Sequence, residues 1–298
     1  MSSAPVILFV YNRPWHTEQT VAALKNNALA DQTDLIIFSD GPKNSEDSIK
    51  VETARNYLRT INGFKSIRIV ERKENLGLAS SIISGVTEII NAYGQAIVLE
   101  DDIVTSRYFL EFMNKALEIY KHQDKVMHIS AYMFPIEPSG LPETFFIKPT
   151  GCWGWATWQR AWKYFRKDID ETLNKFTKER KRDFNLNNTY NHWSQILLNK
   201  KGRIDTWAVF WYASTFFNEG LSLHPSKSLT QNIGHDNSGV HCRKDSSFIV
   251  ELNDKPIQYF ENKLEVNLNA QKRLELFFKS LNLPLIQRLL KKCRLFIK

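Results

Sequence analysis

The chain has 298 residues, a net charge of +8, and hydrophobic and aromatic fractions of 43% and 12%, which exclude a disordered chain and allow one large core or two small ones. Three widely spaced cysteines, Cys152, Cys242 and Cys293, argue against a disulfide framework or a structural zinc site and point to a reducing compartment. No apolar run approaches the length of a bilayer span, and Met1 to Tyr11 reads better as a first strand than as a signal peptide.

In chain order, strand one is predicted at Val6–Val10, followed by Tyr11-Asn12-Arg13-Pro14 and an amphipathic stretch to about Leu29. Strand two is Leu35–Phe38, then Ser39-Asp40-Gly41-Pro42 and a helix to about Ile61. Strand three is Ile67–Val70, then a polar turn and a helix through Ile82, Ile83, Val86, Ile89 and Ile90. Strand four, Ala96-Ile97-Val98-Leu99, runs directly into Glu100-Asp101-Asp102. Short buried strands alternating with helices of this length predict βαβ units and a mainly parallel sheet flanked by helices. Right-handed crossovers then put the four strand ends on one side, so Asn12, Arg13, Asp40, Arg72, Lys73 and the three acids are expected to converge.

A helix follows from near Ser106, and Val126–Ser130 and Phe145–Ile147 read as further strands joined by a Pro/Gly-rich loop. Seven of the eight tryptophans lie between Trp153 and Trp211. Trp155, Trp158 and Trp162 have the spacing of one helix face, which core packing explains. Gly151 and Gly154 beside Trp153 and Trp155 suggest instead a place where a sugar ring lies against backbone and indole. Lys163–Asn191 is charged and poor in apolar residues, as in an exposed lid or an insertion. Thr206–Phe217 reads as a helix capped by Asp205 and closed by Gly220. Beyond about Phe248 the pattern weakens until a tail, 281–298, which has five basic residues and no acid among its leucines and isoleucines. Such a tail suits an anionic membrane surface or docking on the protein's own core. Because the positive charge gathers there and not among the aromatics, nucleic acid is not an expected partner.

The acids carry the chemistry. Carboxylates this close repel unless something positive joins them, and hard divalent cations with oxygen ligands do so. A solvated acidic turn ahead of the next helix is the plainer reading. At Asp40 the alternatives are a base-binding carboxylate and an Asx-turn that caps its own backbone. Asp205 is either a helix cap or a general base, with Asp236 and Glu219 as rivals. His235 and His241 sit in a polar loop, His235-Asp236-Asn237-Ser238-Gly239-Val240-His241, and are either metal-binding or surface residues.

Val10-Tyr11-Asn12-Arg13, Ser39-Asp40-Gly41, Asn75-Leu76-Gly77, Glu100-Asp101-Asp102, the Gly220–Pro225 segment, Asn232-Ile233-Gly234 and Val240-His241 together resemble GT-A glycosyltransferases, bacterial family 2-like, across roughly residues 5–245. The acidic triplet resembles that of N-acetylglucosaminyltransferase I. The resemblance implies a GT-A (Rossmann-like) mixed sheet, with residues 1–110 as the nucleotide-sugar half, 111–247 as the acceptor half and 248–298 as a C-terminal extension with a basic helical tail. It further implies that Asp102 ligates Mn²⁺ or Mg²⁺ with His241, that Asp101 meets ribose or a metal-bound water, and that Glu100 supports the site. By the same resemblance Asp40 accepts from uracil, Tyr11 stacks on the base, Arg13 meets phosphate or ribose, and Arg72 or Lys73 neutralises the nucleotide. Asp205 is then the base of an inverting reaction, although the more usual Glu-Asp pair is here Ile204-Asp205, and Trp153, Gly154 and Trp155 meet sugar or acceptor.

The expected function is therefore metal-dependent transfer from a UDP-sugar to a hydroxyl of a glycan or lipid-linked glycan, by a cytoplasmic protein peripheral to the inner face of a membrane. Nucleotidyl transfer is disfavoured because the turn after strand one lacks the glycine-rich phosphate loop. A non-catalytic carbohydrate- or nucleotide-binding protein is the other alternative.

Overall fold

The computed structural model describes residues 3–236 and 246–281. The first third is the expected alternation: β1 (Val6–Val10), α1 (Pro14–Lys25), β2 (Asp34–Ser39), α2 (Ser45–Leu58), β3 (Ser66–Glu71), α3 (Leu78–Tyr93) and β4 (Gln95–Glu100). The four strands are parallel in the order β3-β2-β1-β4. Their side chains alternate between two cores. Val6, Leu8, Val10, Leu35, Ile37, Ile97 and Leu99 join the core that also takes Val21 and Leu24 of α1. Ile7, Phe9, Ile36, Phe38 and Val98 face Ile82, Val86, Ile89 and Ile90 of α3. Burial of each such side chain contributes about 1.5–3 kcal/mol, and both faces are covered, so these strands read as unbroken apolar runs.

The crossovers α1 and α2 carry the chain away from β1 on one face, and α3 brings it back over the other to place β4 on β1's far side. The reversal opens a crevice beyond the carboxyl ends of β1 and β4, where ligands of open α/β sheets bind. The loops at residues 11–13 and 101–102 end there. α3 starts after Gly77 and stops at Gly94, whose φ of 78° is left-handed and whose N–H reaches the Ile90 carbonyl at 2.8 Å.

Beyond β4 come β5 (Ile103–Thr105), α4 (Phe109–Ile119), β6 (Val126–Ser130), β7 (Thr144–Ile147), β8 (Trp155–Trp158), α5 (Gln159–Trp162), α6 (Ile169–Asn174), α7 (Lys178–Phe184), α8 (His192–Lys200), α9 (Ala208–Phe217), β9 (Leu221–Pro225), β10 (Thr230–Asn232) and α10 (Leu268–Leu281). The sheet continues β4-β8-β6-β9-β7, with β8 antiparallel to β4 and β6, β9 parallel to β6, and β7 antiparallel to β9. The expected class, a mixed sheet flanked by helices and consistent with a Rossmann-like arrangement, is what the protein has. A separate two-stranded ribbon pairs β10 with β5.

Four readings are corrected. Trp155 and Trp158 do not share a helix face, because they are the ends of β8 and point to opposite sides of the sheet: Trp155 into the α3-side core, Trp158 into the other. Asp205 caps nothing, since α9 begins at Ala208 after Trp207, and Asn199 accepts from the Thr206 N–H instead. The charged 163–191 stretch is anchored and not a free lid, because Phe176 and Phe184 are buried against Val209, Phe210 and Tyr212 of α9. Finally, residues 249–281, where the sequence pattern is weak, form a strap and a helix. Asn267 N–H bonds the Phe146 carbonyl at 2.8 Å, and Ala270, Leu274 and Phe278 of α10 pack on Phe145 and Ile147 of β7. Among the described residues no helix is long and apolar enough to cross a membrane. The tail from residue 282 onward, Cys242 and Cys293 lie outside the described residues.

Candidate functional site at the β1–β4 switch point

The loop after β4 folds back on the loop after β1. Asp101 accepts from the Tyr11 N–H at 3.2 Å and from the Arg13 guanidinium, which also meets Asp102 Oδ2 at 2.9 Å. Both aspartates are about 96% buried, with 4% exposure. Their backbone is pinned as well: the Thr20 hydroxyl donates to the Asp101 carbonyl at 2.8 Å, and the Ile233 N–H to the Asp102 carbonyl at 2.9 Å. The β5–β10 ribbon thereby lays Gly234 over the Arg13–Asp102 pair. A Cβ at Gly234 would stand 2.2 Å from Asp102 Oδ2 and 2.7 Å from Arg13 Nη1.

Burial pushes the Asp101 carboxyl up, against the pull of Arg13. Burial lowers Arg13, but the charges of Asp101 and Asp102 outweigh it and its net shift is upward. The half-buried Glu100 is raised to about 8, by burial first and then by Asp102 and Asp101. One oxygen is left over. Asp102 Oδ1 is buried and has no hydrogen-bond partner among the described residues. Among those residues no three His, Cys, Asp or Glu side chains form a ready metal site. Mg²⁺-type sites need fewer, because one or two carboxylates suffice when phosphates and waters complete the shell. The orphaned Asp102 oxygen fits that donor set.

Tyr11 and Asn12 are held by a residue that sequence reasoning missed. Asp47, in the first turn of α2, accepts from the Tyr11 hydroxyl at 2.9 Å and from the Asn12 amide at 2.6 Å. Burial, then the Asp47 bond, raises the Tyr11 phenol to about 12. The only sequence signal at Asp47 is its place three residues after the Asn44 cap, whose side chain accepts from the Asp47 N–H at 2.9 Å.

Asp40 stands at the same edge, its N–H on the Val10 carbonyl at 2.9 Å. Its carboxylate accepts from the backbone N–H groups of Gly41, Leu76 and Gly77 at 3.0–3.1 Å, so it clamps the start of α3. Arg72 leans away, over the Phe38 ring and onto Ser81 and Ser84 of α3. Arg55, also missed, bonds the Ser39, Asp40 and Arg72 carbonyls and so ties the ends of β2 and β3. Lys73 is exposed.

On the acceptor side, Trp153 is half-buried and edge-on to Tyr132 and His235, with ring centres 4.5 and 5.2 Å apart. Trp155 is fully buried against Trp207 and Trp162 and presents no face to a ligand. Gly154 has a packing reason after all: its φ is 83°, and a Cβ would stand 2.8 Å from Thr230 Cγ2. His235 Nε2 is buried with no partner among the described residues. His241 lies outside them. Asp205 pairs with Lys167 and is 66% exposed. Asp236 is two residues beyond Gly234 and meets His16 Nε2 at 3.2 Å. A cleft of about 280 Å³ lined by Asn12, Arg13, Pro14, Trp15, His16 and Lys50 opens beside that pair.

No family model matches the chain, and no curated protein matches it in sequence. Among solved structures, the mannosyltransferase PcManGT from Pyrobaculum calidifontis, determined with GDP-Man and Mn²⁺, is 11% identical with a TM-score of 0.42, over 72% of this chain and 69% of its own. TarS of S. aureus is 12% identical with a TM-score of 0.30, over 43% of this chain. The match spans only 21% of TarS. At such values neither speaks to substrate or chemistry.

Proposed function

We propose that the protein is a metal-assisted glycosyltransferase of GT-A type that takes a nucleoside diphosphate sugar, in the first instance a UDP-sugar, and transfers the sugar to a hydroxyl of a glycan or lipid-linked glycan. The observation that carries this reading is the orphaned, buried Asp102 oxygen beside Arg13 at the switch point of the sheet. Mn²⁺ or Mg²⁺ held on Asp102 would supply Lewis acidity toward a departing diphosphate. Tyr11 and Asn12, fixed by Asp47, form the wall on which the nucleoside would rest. Asp101 holds Arg13 beside the Asp102 carboxylate, and Glu100 stands behind the pair at the end of β4. Trp153 is the indole whose partial exposure suits sugar or acceptor.

For the base, Asp236 is favoured over Asp205. It adjoins the segment that covers Asp102, and His16 orients it, whereas Asp205 is tied to Lys167. A carboxylate in that place takes the proton of an attacking hydroxyl, and inversion at the anomeric carbon follows from such a one-step displacement. Residues 281–298 would hold the protein to an anionic surface near a lipid-linked acceptor.

The test is release of nucleoside diphosphate from a panel of UDP- and GDP-sugars with Mn²⁺ or Mg²⁺ and mixed glycan acceptors. Turnover abolished in Asp102→Ala supports the reading. No turnover with any donor, or full turnover in Asp102→Ala, contradicts it.

A further inference from the structure

Two carboxylates buried side by side in one turn need a positive neighbour, and among the described residues Arg13 is the side chain that ion-pairs with both. It reaches Asp101 Oδ1 and Asp102 Oδ2 with one nitrogen, Nη2, while Gly234 closes over the pair with no room for a side chain. The oxygen on the other side of the same carboxylate, Asp102 Oδ1, has no hydrogen-bond partner among the described residues. So one oxygen of Asp102 is committed to an arginine and the other is not, among the described residues.

We propose that Arg13 is the resident counter-cation of this site and that a divalent cation arriving with a nucleoside diphosphate displaces it from Asp102. The inference rests on the metal reading given above and adds an order of events to it. With Arg13 in place, the two aspartates and the guanidinium carry one net negative charge. A divalent cation alone would turn that into a buried net positive charge beside a guanidinium, which like-charge repulsion opposes. A diphosphate brings the missing negative charge. Arg13, still tethered by Asp101, is then free to turn its released donors to phosphate oxygens, for which its planar fork is suited. Metal and nucleotide therefore bind with strong positive coupling, and each raises the other's affinity by the same factor. Arg13 is a positioning residue whose charge sets that factor.

The experiment measures Mn²⁺ binding directly, by the loss of the free-Mn²⁺ electron paramagnetic resonance signal, with and without UDP. The full-length wild type, Arg13→Gln, Arg13→Lys and Asp102→Asn are compared. Wild type is expected to bind Mn²⁺ weakly alone and much more tightly with UDP. Arg13→Gln is expected to bind Mn²⁺ alone roughly tenfold more tightly than wild type, and its enhancement by UDP should shrink by about the same factor. Arg13→Lys, whose ammonium holds one carboxylate at a time, should fall between them and serves if the glutamine variant does not fold. If Mn²⁺ binds either variant no more tightly than wild type, while Asp102→Asn loses it, the counter-cation role is wrong and the metal reading stands. If wild type takes up no Mn²⁺ even with UDP, the metal reading itself fails and takes the inference with it.

Discussion

Replacing Gly234 by alanine is the smallest change that loads the centre of the site. Its φ is not in the left-handed region, so the backbone accepts alanine, and the lost freedom of the unfolded chain should stabilise by about 0.4–1 kcal/mol. Against that, the new Cβ would lie 2.2 Å from Asp102 Oδ2, well inside any real contact, and 2.7 Å from Arg13 Nη1. Neither can simply step aside, because Asp102 is held by its own backbone bond to Ile233 and Arg13 by Asp101. Overpacking of this kind costs about 1–3 kcal/mol, and pulling Arg13 from Asp102 adds part of the cost of an unpaired buried charge, about 3–5 kcal/mol when complete. The clash outweighs the entropy gain. Gly234→Ala should lose roughly 1–3 kcal/mol of stability, a fall in Tm of several degrees. The nucleotide-dependent activity should fall at least about tenfold. Thermal melting followed by circular dichroism, with turnover at a temperature where both proteins are folded, measures both. A variant that melts within a degree of wild type and turns over normally would refute the packing argument.

In the competition between carboxylates, Asp236→Asn should lower kcat by about 10²–10⁴-fold and Asp205→Asn by no more than a few-fold, read from initial rates at saturating donor; the reverse ranking restores Asp205 as base. Asp47→Ala frees the Tyr11 hydroxyl and the Asn12 amide, so the dissociation constant for UDP should rise several-fold by calorimetry while the fold is kept. Burial lowers the His224 imidazole to about 4, with Ser222 and the Tyr132 and Pro149 carbonyls as its partners. The unfolded chain takes up that proton first, near pH 6.5, so this contribution is whole above 6.5 and is lost as pH falls toward 4. His224→Gln should remove about 3 kcal/mol from the acid-induced loss of stability, seen in urea midpoints between pH 7 and pH 4.

The parallel half was legible because β1, β2 and β4 are covered on both faces and appear as short apolar runs with turn residues after each, while the half-exposed edge strand β3 shows in Ile67, Ile69 and Val70. The same alternation predicts that Asn12, Arg13, Asp40, Arg72, Lys73 and residues 100–102 converge: the 11–13 and 101–102 loops meet and Asp40 stands on the same edge, whereas Arg72 turns onto α3 and Lys73 is exposed. Partners were harder to foresee. The Asp40 carboxylate accepts from the neighbouring Gly41 N–H, as an Asx-turn would have it, but also from Leu76 and Gly77 in a loop 36 and 37 residues away, which the sequence did not announce. The tryptophan spacing misled because 155, 158 and 162 fit a helix by number alone, whereas the two-residue period of β8 sends Trp155 and Trp158 to opposite faces and Trp162 rejoins Trp155 from α5. Gly234 stood out only within Asn232-Ile233-Gly234 and Asp47 only by its place after the Asn44 cap, because the contact through which each acts is made once the chain is folded. The strap has no apolar period to read, because hydrogen bonds between Tyr259, Glu261 and Asn267 and the edge of β7 hold it, whereas α10 does carry a helical period in Ala270, Leu274 and Phe278 and was overlooked.

A crystal structure of the protein soaked with UDP and Mn²⁺ tests the central claim most directly. The account expects the cation on Asp102, the diphosphate against Arg13, and the nucleoside along Tyr11 and Asn12 at the carboxyl ends of β1 and β2. Nucleotide bound elsewhere, or a cation that never touches Asp102, would contradict it.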